Sequence, residues 1–336
     1  MKQRTILLVG GAGYVGTVLT VYLLNQGYRV ICLDLLIYQN NLCITSFLSN
    51  PNYRFIYGDF QDSQILDQAL TGVTDVVLLV GLVGDDITKK YPAESQAINT
   101  TGLITCIDRL NNRKIDRVIF LSSCSNYGYV KDTIASELFP LSPTSSYAQS
   151  KITIEQYLYT LKGQVDYKPT ILRFATAFGL SPRLRLDLTI NQFTFAAFRD
   201  LEITVFNPSA WRPYCHVTDF ARVIDMVLTA PTYKVAFETF NAGGNVNNYT
   251  KQAIVDAVTA ILPNAKFKYQ NTSVDPRNYR IDFSKIKNTL GFEPTFTVEE
   301  GIKEIVEAMR NHVYDDAEVA SNLYGNYELN YDIFQK

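Results

Sequence analysis

Apolar runs and amphipathic stretches alternate from the start of the chain. Residues 5–9, 29–33, 53–57, 75–80 and 117–121 are short runs rich in Val, Ile and Leu without strict polar alternation. Such runs suit strands covered on both faces by helices. Between them, residues 14–25, 62–70 and 93–110 carry helical spacing, and a further helix and strand are expected at 146–161 and 169–173. Regular alternation of this kind predicts an α/β fold built on a doubly wound parallel sheet. Beyond residue 172 the rhythm loosens, and loops rich in Asn, Pro and Arg at 181–185, 207–212 and 275–280 separate shorter elements. We expect a first domain over residues 1–172 and a smaller mixed α/β substrate-binding lobe over 173–336 that returns some segments to the first. A helix is expected at 297–311, followed by a tail with Tyr314, Tyr324, Tyr327 and Tyr331 that reads as a docked terminal arm.

The glycines give the first domain a ligand. Gly11, Gly13 and Gly16 form a GxGxxG pattern, extended by Gly10, directly after the first strand and at the opening of a helix. Glycines there make the tight turn of a Rossmann fold and let backbone N–H groups approach a pyrophosphate. Gly10, Gly13, Tyr14, Val15 and Gly16 are therefore candidate cofactor contacts. Asp34 ends the second strand at about the spacing where an acid meets the adenosine ribose. Its carboxylate would repel a 2′-phosphate, and residues 35–37 contain no arginine, so NAD is favoured over NADP. Gly58, Asp59 and Phe60 follow the third strand and are placed for the adenine edge; Asp59 alone would read as a helix cap.

Tyr147 and Lys151 stand four apart at the start of a helix, hence on one face. An ammonium there lowers the pKa of the phenol and makes it a usable base. Ser122 and Ser123, immediately after the fifth strand, add weight to the pair.

With these motifs the chain resembles the extended short-chain dehydrogenase/reductase family, and within it the NAD-dependent nucleotide-sugar epimerases and dehydratases. The likeness spans nearly the whole chain. It includes residues 10–16, Asp34, Gly58, Asp59, Asn99, residues 122–128, Tyr147 and Lys151, then Arg173, Gly179, residues 212–219 and residues 241–243. It implies that Ser123 and Tyr147 are catalytic, Tyr147 as the base, and that Lys151 also binds the nicotinamide ribose. Asn99 would be a structural residue beside the cofactor. Arg212, and with it Arg277, would bind the substrate diphosphate, for which guanidinium forks are well suited. His216 and Asp219 are expected to cap and position their loop.

Several positions depart from the family pattern. Val9 and residues 78–81, Val80 among them, are apolar replacements expected near the cofactor. The dehydratase branch has an Asp-Glu pair after the catalytic serine or threonine; here those positions are Cys124 and Ser125, which disfavours 4,6-dehydration. Cys124 reads as a small buried residue. Residues 180–188 with Asn191 and Phe193 resemble a subgroup acting on nucleotide-linked hexoses or heptoses. Asp85 or Asp86 should border the sugar, or else cap a helix.

The expected reaction is reversible oxidation of a ring hydroxyl, at C4, of a nucleoside-diphosphate sugar. A 4-epimerase retains the ketone and reduces its other face; the alternative, a 4-dehydrogenase, releases it. A non-catalytic NAD-binding sensor is opposed by the intact Tyr147 and Lys151.

Composition narrows partners further. Of 336 residues 47% are hydrophobic, and 31 Lys and Arg face 33 Asp and Glu for a net charge of −2. Without a basic block, neither a nucleic acid nor an anionic membrane is an expected partner. No apolar run approaches the ~20 residues of a membrane helix. Residues 1–9 leave no room for a signal peptide, so a cytoplasmic location is expected. Five scattered cysteines and two histidines argue against a metal site or a disulfide framework. The family resemblance implies a homodimer through the helices at 93–110 and 146–161. Both carry more apolar positions than one sheet-facing stripe requires: Ile98, Leu103, Ile104, Ile107 and Leu110 in one, Ile152, Ile154, Tyr157, Leu158 and Leu161 in the other.

Overall fold

Seven parallel strands carry the architecture of the computed structural model, which describes residues 3–270, 277–318 and 320–329. They are β1 (Thr5–Val9), β2 (Arg29–Asp34), β3 (Tyr53–Tyr57), β4 (Asp75–Leu78), β5 (Arg117–Ser123), β6 (Lys168–Phe174) and β7 (Glu238–Ala242). Their order across the sheet is β7-β6-β5-β4-β1-β2-β3. Successive side chains of a strand point to opposite faces, and β1 divides accordingly. Ile6 and Leu8 join a core with Leu19 and Leu23 of the helix Tyr14–Asn25 and Val223 and Val227 of the helix Val217–Thr229. Leu7 and Val9 join the opposite core, with Leu66, Leu103 and Ile154 from helices on that side. Burial on both faces explains why the inner strands read as continuous apolar runs, whereas the edge strand β3 leaves Arg54 and Tyr57 exposed. The direction of winding reverses between β1 and β4, and the crevice outside the carboxyl ends of strands at such a point is where ligands bind.

The second half builds a smaller layer. Strands Thr176–Phe178, Trp211–His216 and Asn248–Thr250 form a three-stranded sheet. Helices Thr189–Phe198, Lys251–Ile261 and Val298–Arg310 enclose a third core around Phe193, Val258 and Ile305. The helix expected at 297–311 begins with a reciprocal cap between Thr297 and Glu300. The chain also returns to the main sheet, through the helix Val217–Thr229 and β7.

The long helix expected at 93–110 is interrupted. Pro92–Gln96 and Leu103–Asp108 flank a π-helical turn at Ala97–Gly102, which includes Asn99. The parallel pairing of strand Tyr129–Ala135 with strand Asn278–Ile281 was not anticipated. Of the apolar positions on the two helices expected at 93–110 and 146–161, Ile104, Tyr157 and Leu161 stay partly exposed. Ile98, Leu103, Ile107, Leu110, Ile152, Ile154 and Leu158 are all buried within one chain, because the helices pack on each other as well as on the sheet. Among the described residues, no helix is long and apolar enough to cross a membrane. Of the tail, Tyr331 lies outside the described residues, whereas residues 320–329 are docked on the body of the protein, where the Leu186 N–H donates to the Tyr324 carbonyl at 2.7 Å.

Candidate active site

A cleft of about 520 Å³ runs along the carboxyl ends of the strands. Its floor is the glycine loop. Gly10 has φ +80°, and a Cβ there would lie 2.6 Å from the Val80 Cα; a Cβ on Gly16 would lie 2.3 Å from the Gly11 carbonyl oxygen. Close packing thus fixes the loop as glycine. Above Gly13 the nearest atom to a built Cβ is 3.8 Å away, so the loop is open on its ligand side. Tyr14, Val15, Asp59, Phe60 and Val80 line the same cleft. The Tyr14 hydroxyl donates to the Gly179 carbonyl at 2.7 Å, joining the loop to the second half. At the end of β2, Asp34 accepts from the N–H groups of Ala12 at 2.9 Å and Leu36 at 2.8 Å. Burial raises its carboxyl pKa, and these N–H bonds oppose that rise.

The three residues expected to be reactive line the same cleft. Ser145 caps the helix Ser146–Thr160 by accepting from the Ala148 N–H at 3.2 Å. Tyr147 and Lys151 then fall on successive turns, and both line the cleft with Ser123 from the end of β5. Burial pushes the Tyr147 phenol up to about 12; Arg185 and the adjacent Ser123 hydroxyl draw it down, and Asp85 adds to the rise. Lys151 donates to the Leu121 carbonyl at 2.8 Å, with Nζ 5.7 Å from the Tyr147 ring centre. Burial lowers Lys151 to about 8, against the opposing charge of Glu155 one turn on.

Ser122 and Ser123 point to different places. Ser123 Oγ accepts from the Ser125 N–H at 3.1 Å and the Ser125 hydroxyl at 2.9 Å, on the cleft side. Ser122 donates to Glu155, inside a buried network. There Arg173 gives Glu155 one bond of 2.6 Å and two of 3.1 Å, and Asn126 gives another of 2.9 Å. Cys124 is buried with Sγ against the Arg173 carbonyl, the small-residue role expected of it.

The far end of the cleft is basic. Arg212, Arg277 and Lys251 line it. The Arg212 guanidinium lies 5.1 Å from the Tyr279 ring centre and donates to the carbonyls of Trp211 and Arg277. Arg277 pairs with Asp85 at 2.9 Å, so Asp85, expected at the sugar, is tied to a second expected contact. Asp85 opens the short helix Asp85–Lys90, whose cap is Gly84.

Asn99, expected as a structural residue beside the cofactor, and Asn191, a candidate substrate contact, both lie behind the cleft wall. Asn99 accepts from the Leu82 N–H at 2.7 Å and donates to its carbonyl at 2.9 Å. Asn191 accepts from the Gly179 N–H at 3.0 Å and donates to the Arg185 carbonyl at 2.9 Å. Both amides are consumed by backbone, which makes these residues supports of the wall rather than parts of its lining. His216 accepts from the Thr218 N–H through Nδ1, and Asp219 accepts from the Thr295 and Phe296 N–H groups, as expected of loop-positioning residues.

Sequence reasoning missed the groups that close the cleft. Arg185 forms a bidentate pair with Asp187, at 2.9 and 2.6 Å. Asn326, from the terminal arm, donates to the Val83 carbonyl at 2.9 Å, and Arg183 donates to the Gly325 carbonyl at 3.1 Å. Residues 325–327 thus strap the loop at 181–187 to the segment after β4. The two arginines in that loop were visible as letters, and the terminal arm was expected to dock; its docking site on this loop had no signal.

Residues 6–243 match the NAD dependent epimerase/dehydratase family. The chain belongs to that family. Its members include nucleotide-sugar epimerases and dehydratases. The chain is 28% identical over 313 residues to the low-salt glycan biosynthesis protein Agl12 of Haloferax volcanii, covering 90% of this chain and 97% of that one. It is 25% identical to a UDP-glucose 4-epimerase of Halalkalibacterium halodurans, covering 87% and 91%. Among solved structures, the dTDP-glucose 4,6-dehydratase of Bacillus anthracis in complex with NAD superposes with a TM-score of 0.81 at 26% identity, covering 93% and 98%. NAD is the cofactor of this family, and the cleft fits it: an open glycine loop, an acid at the end of β2 and buried polar atoms without partners beside them.

Proposed function

We propose that the protein is a nucleoside-diphosphate-sugar 4-epimerase. The observation that carries the reading is the single cleft in which Ser123, Tyr147 and Lys151 meet the glycine loop at one end and Arg212 with Arg277 at the other. NAD, when bound, supplies a hydride acceptor that becomes the donor for the return step. Tyr147 takes the proton of the sugar hydroxyl and later returns one, Ser123 hydrogen-bonds the same oxygen, and Lys151 supplies positive charge beneath them. Arg212 and Arg277 hold the substrate diphosphate.

Two features favour epimerisation over the alternatives. Dehydration needs an acid beside Ser123, yet Cys124 is buried and Ser125 is a hydroxyl. The strap at residues 325–327, which ties the loop at 181–187 to the segment after β4 in the cleft wall, supports retention of the ketone between the two hydride steps. The test is incubation with UDP-, GDP-, CDP- and dTDP-sugars, followed by mass and NMR analysis. An epimerase gives a product of unchanged mass inverted at C4, without accumulation of absorbance at 340 nm. A product two hydrogens lighter with rising NADH would make it a 4-dehydrogenase, and a product one water lighter would refute the reading from Cys124 and Ser125. No turnover of any sugar, with NAD bound, would leave the sensor.

A further inference from the structure

Beside the glycine loop, three buried polar atoms have no hydrogen-bond partner: Tyr38 Oη, Asn40 Oδ1 and Arg183 Nε. Their residues are 7%, 4% and 3% exposed, and all three line the cleft. Buried polar atoms are nearly always satisfied, because leaving one unpaired is costly. A group of them in a cleft wall marks a place where a ligand completes the bonding.

Arg183 is delivered there by the second half of the chain. Its guanidinium carbon lies 4.3 Å from the Tyr38 ring centre, and its Nη2 donates to the Gly325 carbonyl at 3.1 Å and Asn326 Oδ1 at 3.0 Å. Asn40 is locked to the glycine loop, donating to the Ala12 carbonyl at 2.6 Å. Among the described residues Arg183 makes no ion pair; the nearby Asp187 is taken by Arg185. Burial first, and then the charge of Arg185, pull the Arg183 guanidinium down to about 10. An anion alongside would relieve both effects.

Position decides which anion. Arg185 is among the charges acting on the Tyr147 phenol, whereas Arg183 is among those acting on Asp34. Arg183 therefore belongs to the adenosine end of the cleft, next to the loop that receives phosphates, and away from the substrate end at Arg212. We propose that Arg183, stacked on Tyr38 and held by Asn326, binds the diphosphate of NAD together with the glycine loop. The cofactor is then gripped by both halves of the chain, and the terminal strap fixes the arginine that does so.

Binding to cofactor-stripped protein tests this. Calorimetric titration with ADP and with adenosine, and NADH fluorescence, are compared in wild type, Arg183→Met and Arg183→Gln, the second variant being kept in case the first does not fold. Loss of a charged hydrogen bond predicts a weakening of ADP and NADH of about 10- to 100-fold. Adenosine, which lacks phosphate, should change less than about threefold. Unchanged ADP affinity in a folded variant would overturn the proposal. So would an equal loss for adenosine and ADP, which would mean that the pocket had collapsed rather than lost a phosphate contact.

Discussion

Glu155→Gln removes one charge from the buried pair behind the reactive residues. Glu155 and Arg173 are 2% and 7% exposed at the side chain and make three hydrogen bonds to each other. Burial opposes the Arg173 charge, and the Glu155 carboxylate more than restores it. Glutamine keeps the shape but leaves a buried guanidinium facing a neutral amide. Breaking a buried pair from one side costs about 3–5 kcal/mol. For a chain of this length that corresponds to a fall in Tm of roughly 4–7 °C, measured by calorimetry or circular dichroism. The double variant Glu155→Leu with Arg173→Met, which removes both charges, should recover most of the loss. A second readout isolates the effect on the site. Glu155 is the charge opposing the burial that holds Lys151 at about 8, so Glu155→Gln should move the Lys151 titration to lower pH. Lysine-selective carbon NMR, assigned by the signal lost in Lys151→Met, would follow it. Lys151 is charged below its pKa, so the variant holds less positive charge at neutral pH. A Tm within about 2 °C of wild type, together with an unmoved Lys151 titration, would refute the reasoning.

Three further outcomes are expected. Tyr147→Phe should lower kcat by about 10²- to 10⁴-fold with NADH affinity nearly intact; activity within a few-fold of wild type would remove Tyr147 from its role. Arg212→Ala should reduce kcat/KM for a nucleotide sugar by about 10- to 100-fold without changing NAD affinity, and an unchanged value would leave Arg277 as the better diphosphate contact. NAD should bind stripped protein more tightly than NADP, and Asp34→Asn should narrow the difference; equal affinities in wild type would mean that Asp34 does not face the ribose.

The parallel sheet and the meeting of Tyr147 with Lys151 in the cleft were legible because their signals are local. A strand buried on both faces must be apolar throughout, and a glycine loop packed 2.6 Å from the Val80 backbone tolerates nothing else. Tyr147 and Lys151 meet through helical spacing alone. What was not legible depends on contacts between distant segments. Asn99 and Asn191 carry the right chemistry for ligands, but the backbone of Leu82, Gly179 and Arg185 absorbs it. The absence of arginine at residues 35–37 suggested an adenosine end without a cation, and Arg183 reaches that end from nearly 150 positions away. Most apolar positions of the helices flanking β4 and β5 are used by packing inside one chain, which their spacing alone did not reveal, while Ile104, Tyr157 and Leu161 stay partly exposed.

A cleft proposed to hold two diphosphate-bearing ligands in a chain of net charge −2 must create positive potential locally. Pairing is how the protein keeps its cations in place. Asp187 orients Arg185 beside Tyr147, Asp85 orients Arg277 at the substrate end, and Glu155 sustains both Arg173 and Lys151. Each acid fixes a guanidinium or an ammonium whose free rotation would otherwise cost order at the moment of binding. Arg183 is positioned differently, by an aromatic ring and the neutral oxygens of residues 325 and 326. That difference has a chemical consequence: a cation held without a carboxylate keeps its full charge for an incoming anion, and a cation held by one gives up part of it. Arg183 is therefore suited to hold a resident diphosphate tightly, whereas Arg277, shared with Asp85, suits a substrate that must leave after each turnover.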